Sequence, residues 1–405
     1  MSRRTRHITI VLFLTALFLA PRSAQAAECA WNGSVGNWND VSRWSCGALP
    51  DADDDAVIAG GAVTVTEDAL VGSLTLSGGT LTGDGHLTAG TVNWSAGTMS
   101  GNGSTTATNA LNFTGSANIL LIEGRTFNNS GTATWNSTGY LYSDAATASF
   151  NNQAGATFTV QTAGSYVVYG EGTFNNAGTF TKASSDTTTV RTRFNNTGVL
   201  SAGSGTLLLE NNYTASTSSG TYHVVSGATL RLHGLYAAIN LNGNVTSTGT
   251  GTIEIAGAAN VDGAFSFPGT ATITGINYAR LSLTTDTTTA DIAILNMSDT
   301  NGTLLGPGHL TAGTVNWSAG TMRDSGSTTA TNALNFTGSE NILFIEGRTF
   351  NNAGTATWNK TGELYINPTS SSFTSQAGAT FTVESSGSAI THGGGAFRNA
   401  GTLYL

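Results

Sequence analysis

Short stretches of this chain place an apolar side chain at every second position and a polar one between. TATW (132–135) turns Thr132 and Thr134 one way and Ala133 and Trp135 the other. TFTV (157–160), YVVY (166–169), TFTK (179–182), TLRL (229–232) and TIEI (252–255) behave alike. Alternation of β-branched and aromatic residues, broken every few positions by Gly or Asn, is the pattern of a half-buried strand. No capped segment of period 3.6 follows residue 26, so the pattern predicts an all-β chain almost free of helix.

These strands come in units. TFNNSGTATWN (126–136) is rewritten as FNNQAGATFTV (150–160), TFNNAGTFTK (173–182), RFNNTGVL (193–200) and TFNNAGTATWNK (349–360). Phe127, Phe150, Phe174 and Phe194 are 23, 24 and 20 residues apart, and Phe350, Phe373 and Phe397 repeat the first two spacings. A recurrence of that length is one coil of a solenoid, with equivalent residues stacked at the strand spacing of about 4.8 Å. Phe then stacks on Phe inside. Asn-Asn before Gly reads as a tight corner, where both residue types accept left-handed backbone and aligned amides bond from coil to coil. The expected fold is a right-handed parallel β-helix; a β-sandwich array would place hairpin turns every 8–12 residues instead. Roughly 380 residues would give about 16 coils and a rod on the order of 75–80 Å long.

A longer repeat overlies the short one. GHLTAGTVNWSAGTM at 85–99 returns unchanged at 308–322, an offset of 223 residues. From Gly85 to Trp135 only Ser100, Gly101, Asn102, Ala117, Leu121 and Ser130 differ in the second copy. Such identity marks an internal duplication. The expected divisions are a secretory signal (1–26), an N-terminal cap with the first strands (27–68), a first long repeat (69–290) and a second, incomplete one (291–405). The last residues, GTLYL (401–405), match a point where the first copy runs on, so this end is expected uncapped, joining further repeats or a partner.

Composition narrows the function classes. Arg3, Arg4 and Arg6 precede an apolar run (8–20) and Ala24-Gln25-Ala26, the pattern of a cleaved signal for general secretion. Removing it lowers Lys+Arg from 15 to 11 against 24 Asp+Glu, a net charge of −13, with Lys182 and Lys360 the only lysines. That balance argues against nucleic acid as a partner, and the absence of a second long apolar run argues against membrane insertion of the mature chain. Cys29 and Cys46, the only cysteines, read as a disulfide in an exported protein. With Trp31, Trp38 and Trp44 they would form the cap over the first coil.

The W-x-G-x-x-x-x-W segment from Trp31, the W-S-x-G from Trp44, the P-x-x-x-D-x-A-x-I from Pro50 and the F-N-N-x-G-T units resemble bacterial extracellular β-strand-repeat proteins. These are similar to the passenger regions of autotransporters and haemagglutinin-like adhesins. The resemblance covers nearly the whole mature chain and implies a secreted or surface-held protein associated with adhesion. A glycan or a cell-surface protein is the kind of partner it implies.

Sites are sparse. Asp51, Asp53, Asp54 and Asp55 carry calcium-type ligands but lack the glycine and distal glutamate of a known loop. Glu123-Gly124-Arg125, repeated as Glu346-Gly347-Arg348, reads as an ion pair on one strand face. The acids Asp144, Glu171, Asp186, Glu210, Glu254 and Asp262 are scattered, with no pair spaced for glycoside cleavage. His86, His223, His233, His309 and His392 show no metal-ligand spacing and read as turn or surface residues. Thr132/Thr134, Thr157/Thr159, Thr179/Thr181, Thr355/Thr357 and Thr380/Thr382 would stack into an outward array of the kind that resembles ice-binding solenoids, if the insertion before Thr157 leaves the rank straight. The sequons at Asn112, Asn335 and Asn359 follow from composition. The expectation is therefore a structural or adhesive solenoid with no catalytic, cofactor or metal site. A polysaccharide-active enzyme (lyase or glycosidase) and an ice-binding solenoid stand as the alternatives.

Overall fold

A computed structural model describes residues 27–121, 124–143, 145–162, 166–211, 214–275, 278–338, 342–385 and 391–405. The predicted signal (1–26), Glu123 and Asp144 lie outside them. The fold is all-β, 62% strand, and winds as a parallel β-solenoid of about 15 turns. Its helical content among the described residues is one 3-10 turn, Val41–Arg43.

Three faces repeat in each turn. Face 1 passes through Glu28–Ala30, Asp55–Ile58, 73–76, 91–94, 110–113 and 132–135, each parallel to the one before. Face 2 passes through Leu141–Ser143, 166–170, 187–191 and 206–211. Face 3 passes through Thr126–Asn129, Ser149–Asn152, 173–176 and 193–196. The chain visits them in the order 1, 2, 3, and inward positions alternate with outward ones along every strand, as a pleated surface wrapped on a core requires.

Identical residues stack because each coil repeats the last. Phe127, Phe150, Phe174 and Phe194 form an inner column on face 3 with ring centroids 5.3, 4.8 and 5.3 Å apart. Of each Asn-Asn pair the first points out and the second in. The inner Asn129, Asn152, Asn176 and Asn196 pass amide-to-amide hydrogen bonds of 2.7 Å from coil to coil. The outer Asn128, Asn151, Asn175 and Asn195 do the same at 2.9–3.0 Å.

The physical reason for this corner differs from the expectation. The asparagines sit in extended strand, and the only non-glycine residues with left-handed backbone among those described are Tyr278 and Asp324. The glycine that follows is needed for close approach: a Cβ on Gly131 would lie 2.1 Å from the Asn109 carbonyl oxygen, and one on Gly198 2.0 Å from that of Gly178. The coil, not the turn type, dictates glycine there.

The N-terminal segment carries the expected Cys29–Cys46 disulfide and a buried triad in which Trp44 packs edge-on to Trp31 and Trp38 at 5.0 and 4.8 Å. It does more than cover the first coil. Glu28–Ala30 pairs with Asp55–Ile58 and Val35–Asn37 with Ala62–Thr64, so the cap is itself a turn of the solenoid.

The duplication is out of phase with the coil. TVNW (91–94) lies on face 1, while its copy (314–317) pairs with Thr289–Met297 at 294–297 and with 333–336 on face 2. STTA moves likewise from face 3 (104–107) to face 1 (327–330). Equivalent surfaces of the two copies therefore face different directions around the axis.

Candidate functional site

Most outward positions carry Thr, Ser or Asn. The threonine pairs stack as expected on face 1, Thr132 on Thr157 on Thr179 and Thr134 on Thr159 on Thr181, so the insertion before Thr157 is absorbed without breaking register. The rank ends where Val199 and Ser201 take the next places. Its copy, Thr355/Thr357 on Thr380/Thr382, lies on face 2 because of the phase shift. The two ranks do not merge into one plane.

Face 2 is different between residues 140 and 256. Tyr142 stacks on Tyr169 at 5.6 Å, and Tyr140 and Tyr166 meet Tyr169 edge-on at 5.9 and 5.7 Å. All four rings are half-buried on the outside of the coil. Arg191, one turn on, lies 5.5 Å from the Tyr169 ring centre and 3.8 Å from Glu210. Glu210 is in turn 3.8 Å from His233. Beside it Arg231 grips Glu254 with two hydrogen bonds of 2.8 and 2.7 Å. Beyond this ladder lies a groove of about 350 Å³ lined by Arg231, His233, Glu254, Ala256, Thr274, Gly275 and Asp299. Asp299 closes its far side by accepting the Gly275 N–H at 3.0 Å.

Strand pairing creates this ladder. Tyr169 is registered with Arg191, Glu210 with His233, and Arg231 with Glu254, so residues one coil apart become neighbours. Opposite charges facing across parallel strands attract where like charges would repel. Burial works against the Arg191 charge, yet Glu210 and the Tyr166 hydroxyl outweigh it and raise the pKa above the ordinary value. The Glu254 hydrogen bond likewise raises that of Arg231. His233 moves the other way: burial first, with Arg231 and Arg191 adding to it, lowers its pKa from 6.5, against the pull of Glu210 and Glu254. The imidazole is neutral at pH 7 and offers both a donor and an acceptor.

This corrects the reading of scattered acids. Glu210, Glu254 and His233 belong to one constellation, whereas Glu171, Asp186 and Asp262 stay apart as exposed residues. The missed signal was the coil length itself: Arg191 and Glu210, or Arg231 and Glu254, are separated by roughly one coil and carry opposite charge.

The Glu-Gly-Arg motif is corrected too. Arg125 and Arg348 are fully buried, so neither guanidinium lies on a surface strand face, while Glu346 is exposed. Arg125 donates to the carbonyl oxygens of Gly83, Ser100 and Ser104 at 3.0–3.1 Å and to the Thr105 hydroxyl, tying two earlier coils to its own. Arg348 does the same with Gly306, Arg323, Gly308, Ser327 and Thr328. Burial lowers each guanidinium to about 10, still charged at neutral pH.

The remaining candidates are local. Asp51, Asp54 and Asp55 accept from the Asp53 N–H, the Asp51 N–H and the Ser73 hydroxyl and shape the entry to the first coils. Among the described residues no group of three or more His, Cys, Asp or Glu is disposed to hold a metal ion. His86 and His309 each meet a serine hydroxyl at 2.8 Å in equivalent places, and His223 meets Thr248 at 2.7 Å. His392 stacks edge-on to Tyr365 at 5.4 Å. Comparison with protein-family models, with curated proteins and with solved structures returned no match.

Proposed function

We propose that this chain is an exported structural or adhesive module, similar to bacterial surface adhesins, that engages glycans along face 2. The observation that supports this most is the outward cluster of Tyr140, Tyr142, Tyr166 and Tyr169 continuing into Arg191, Glu210 and His233. Aromatic faces stack on the C–H surface of sugar rings, and the flanking guanidinium, carboxylate and imidazole groups hydrogen-bond their hydroxyls. The contacts spread over several coils of face 2 are individually weak, so affinity comes from their number.

A second reading, a polysaccharide-active enzyme, draws support from Glu210, His233 and Glu254 beside the groove. Against it, both carboxylates are engaged by cationic partners, and Glu254 is held in a two-point pair. One assay separates the readings: a glycan array on residues 27–405, with release of reducing ends followed in parallel. Binding without product, weakened about tenfold or more by Tyr142→Ala with Tyr169→Ala, is the expected result. Released oligosaccharide that disappears in Glu210→Gln or Glu254→Gln would replace adhesion with catalysis.

A further inference from the structure

Beside the groove of face 2, at the corner leading to face 3, three consecutive coils differ in length. The middle one turns with Ala256-Gly257 alone, between Thr252–Ile255 and Ala258–Asp262. Its neighbours have wider gaps between their strands, with 235–238 between Thr229–Gly234 and Ile239–Asn242 on one side and Tyr278 and Ala279 leading into Arg280–Leu283 on the other. The short corner leaves a notch of about 280 Å³ lined by Gly234, Ala237, Ala258, Tyr236, Tyr278 and Arg280, among others.

The walls of this notch are unusual for the molecule. Tyr236 is 79% exposed and Tyr278 77%, whereas the four tyrosines of face 2 are half-buried against one another. Tyr278 has φ of 55°, a left-handed conformation that glycine adopts freely and a ring-bearing residue does not. A strained backbone that keeps an aromatic ring in solvent points toward a role for the ring. Arg280 stands at the rim, exposed. The ion pairs of arginine among the described residues involve Arg43, Arg191, Arg231 and Arg323, and Arg280 is in none of them. In a chain with 24 acidic residues, an arginine lacking a carboxylate is a place for a carboxylate from outside.

We infer that the notch between Tyr236 and Tyr278 is a binding site for one acidic sugar unit, a uronate, held between the two rings with its carboxylate on Arg280. The dimensions agree. Walls two coils apart are separated by about 9.6 Å, and a ring touching both sides at about 3.5–4.0 Å needs about 7–8 Å. The floor of Gly234, Ala237 and Ala258 presents no charge to oppose the ligand. The inference deepens the adhesive reading and rests on it for the class of ligand, while placing recognition at a site other than the tyrosine cluster of face 2.

The test is calorimetric titration of residues 27–405 with tri-galacturonate and, as the neutral counterpart, cellotriose. Tri-galacturonate should bind the more tightly, and Tyr236→Ala or Tyr278→Gly should each weaken it about tenfold. Glycine suits the left-handed backbone at 278, so that loss would not come from misfolding. Arg280→Gln should abolish the preference for the acidic sugar. No binding of tri-galacturonate, or unchanged binding by the Tyr236→Ala/Tyr278→Gly variant, would overturn the inference. If binding survives that variant but is lost in Tyr142→Ala/Tyr169→Ala, the adhesive reading stands and the notch is not its site.

Discussion

The coils from 126 to 196 and those from 199 to 255 belong to one continuous solenoid, yet they are built on different rules. The first group repeats Phe and Asn inside and Asn and Thr outside, turn after turn. In the second group the face 3 strands carry Ser216 and Ile239 after the Phe column ends, and face 2 places Arg, Glu and His outside. The difference follows from what each side chain does when stacked on its own kind. An amide donates to and accepts from its copy, and an aromatic ring stacks on its copy, so both can be repeated indefinitely. A charge repels its copy and must alternate with its opposite. Ion pairs therefore gather where the repeat breaks, from Arg191 and Glu210 onward.

The largest effect should come from removing what ties coils together. Arg125→Met would take a donor from the carbonyl oxygens of Gly83, Ser100 and Ser104, of which Gly83 keeps the Gly103 N–H. At about 1 kcal/mol for each hydrogen bond lost from the buried guanidinium, the loss should be about 3 kcal/mol. Arg348→Met should cost a similar amount, since its environment is the same one face further round. Denaturant unfolding monitored separately by hydrogen exchange in each copy would measure both. A loss below about 1 kcal/mol in either would mean that these corners find water instead.

Much of this architecture was legible because a solenoid writes its period into the sequence. Phe127, Phe150, Phe174 and Phe194 announce a column before any coordinate is known. The paired cysteines and the three tryptophans likewise announced the cap. The buried arginine was not legible: Glu-Gly-Arg on a strand looks like a surface ion pair, and only the coil winding brings three carbonyl oxygens to converge on the guanidinium. The phase shift was hidden for a related reason. An offset of 223 residues says nothing about faces until the length of every intervening coil is known. The charge ladder was hidden because its members are neighbours across coils, not along the chain.

Smaller changes should separate inside from outside. Asn152→Ala removes a buried amide that donates to Asn176 at 2.7 Å and to the Thr179 carbonyl oxygen, and accepts from Asn129. It should cost about 2 kcal/mol, because the neighbours left behind cannot reach water. Asn151→Ala, its outward neighbour in the same corner, should cost less than half as much, since solvent replaces the lost amide. On the charged coils, Glu254→Gln should change stability by less than about 1 kcal/mol, because Arg231 is 43% exposed. If Glu254→Gln proved costlier than Asn152→Ala by thermal denaturation, the ranking of the buried asparagine column over the exposed ion pair would be reversed.

The finest distinction is a matter of protons. His233 has its pKa lowered from 6.5, chiefly by burial, with Arg231 and Arg191 acting the same way and Glu210 against them. Its midpoint by NMR titration should therefore lie below 6.5. Arg231→Gln should raise it, and Glu210→Gln should lower it further. Stability follows the same sign. As pH falls through about 6.5 the unfolded chain takes up a proton that the folded chain resists, so the contribution present above that pH is lost on acidification. With the side chain 24% exposed the change should be a small fraction of the arginine effect. A midpoint above 6.5 would mean that the two glutamates dominate the imidazole, and that the face carries a proton-sensitive positive charge near neutral pH.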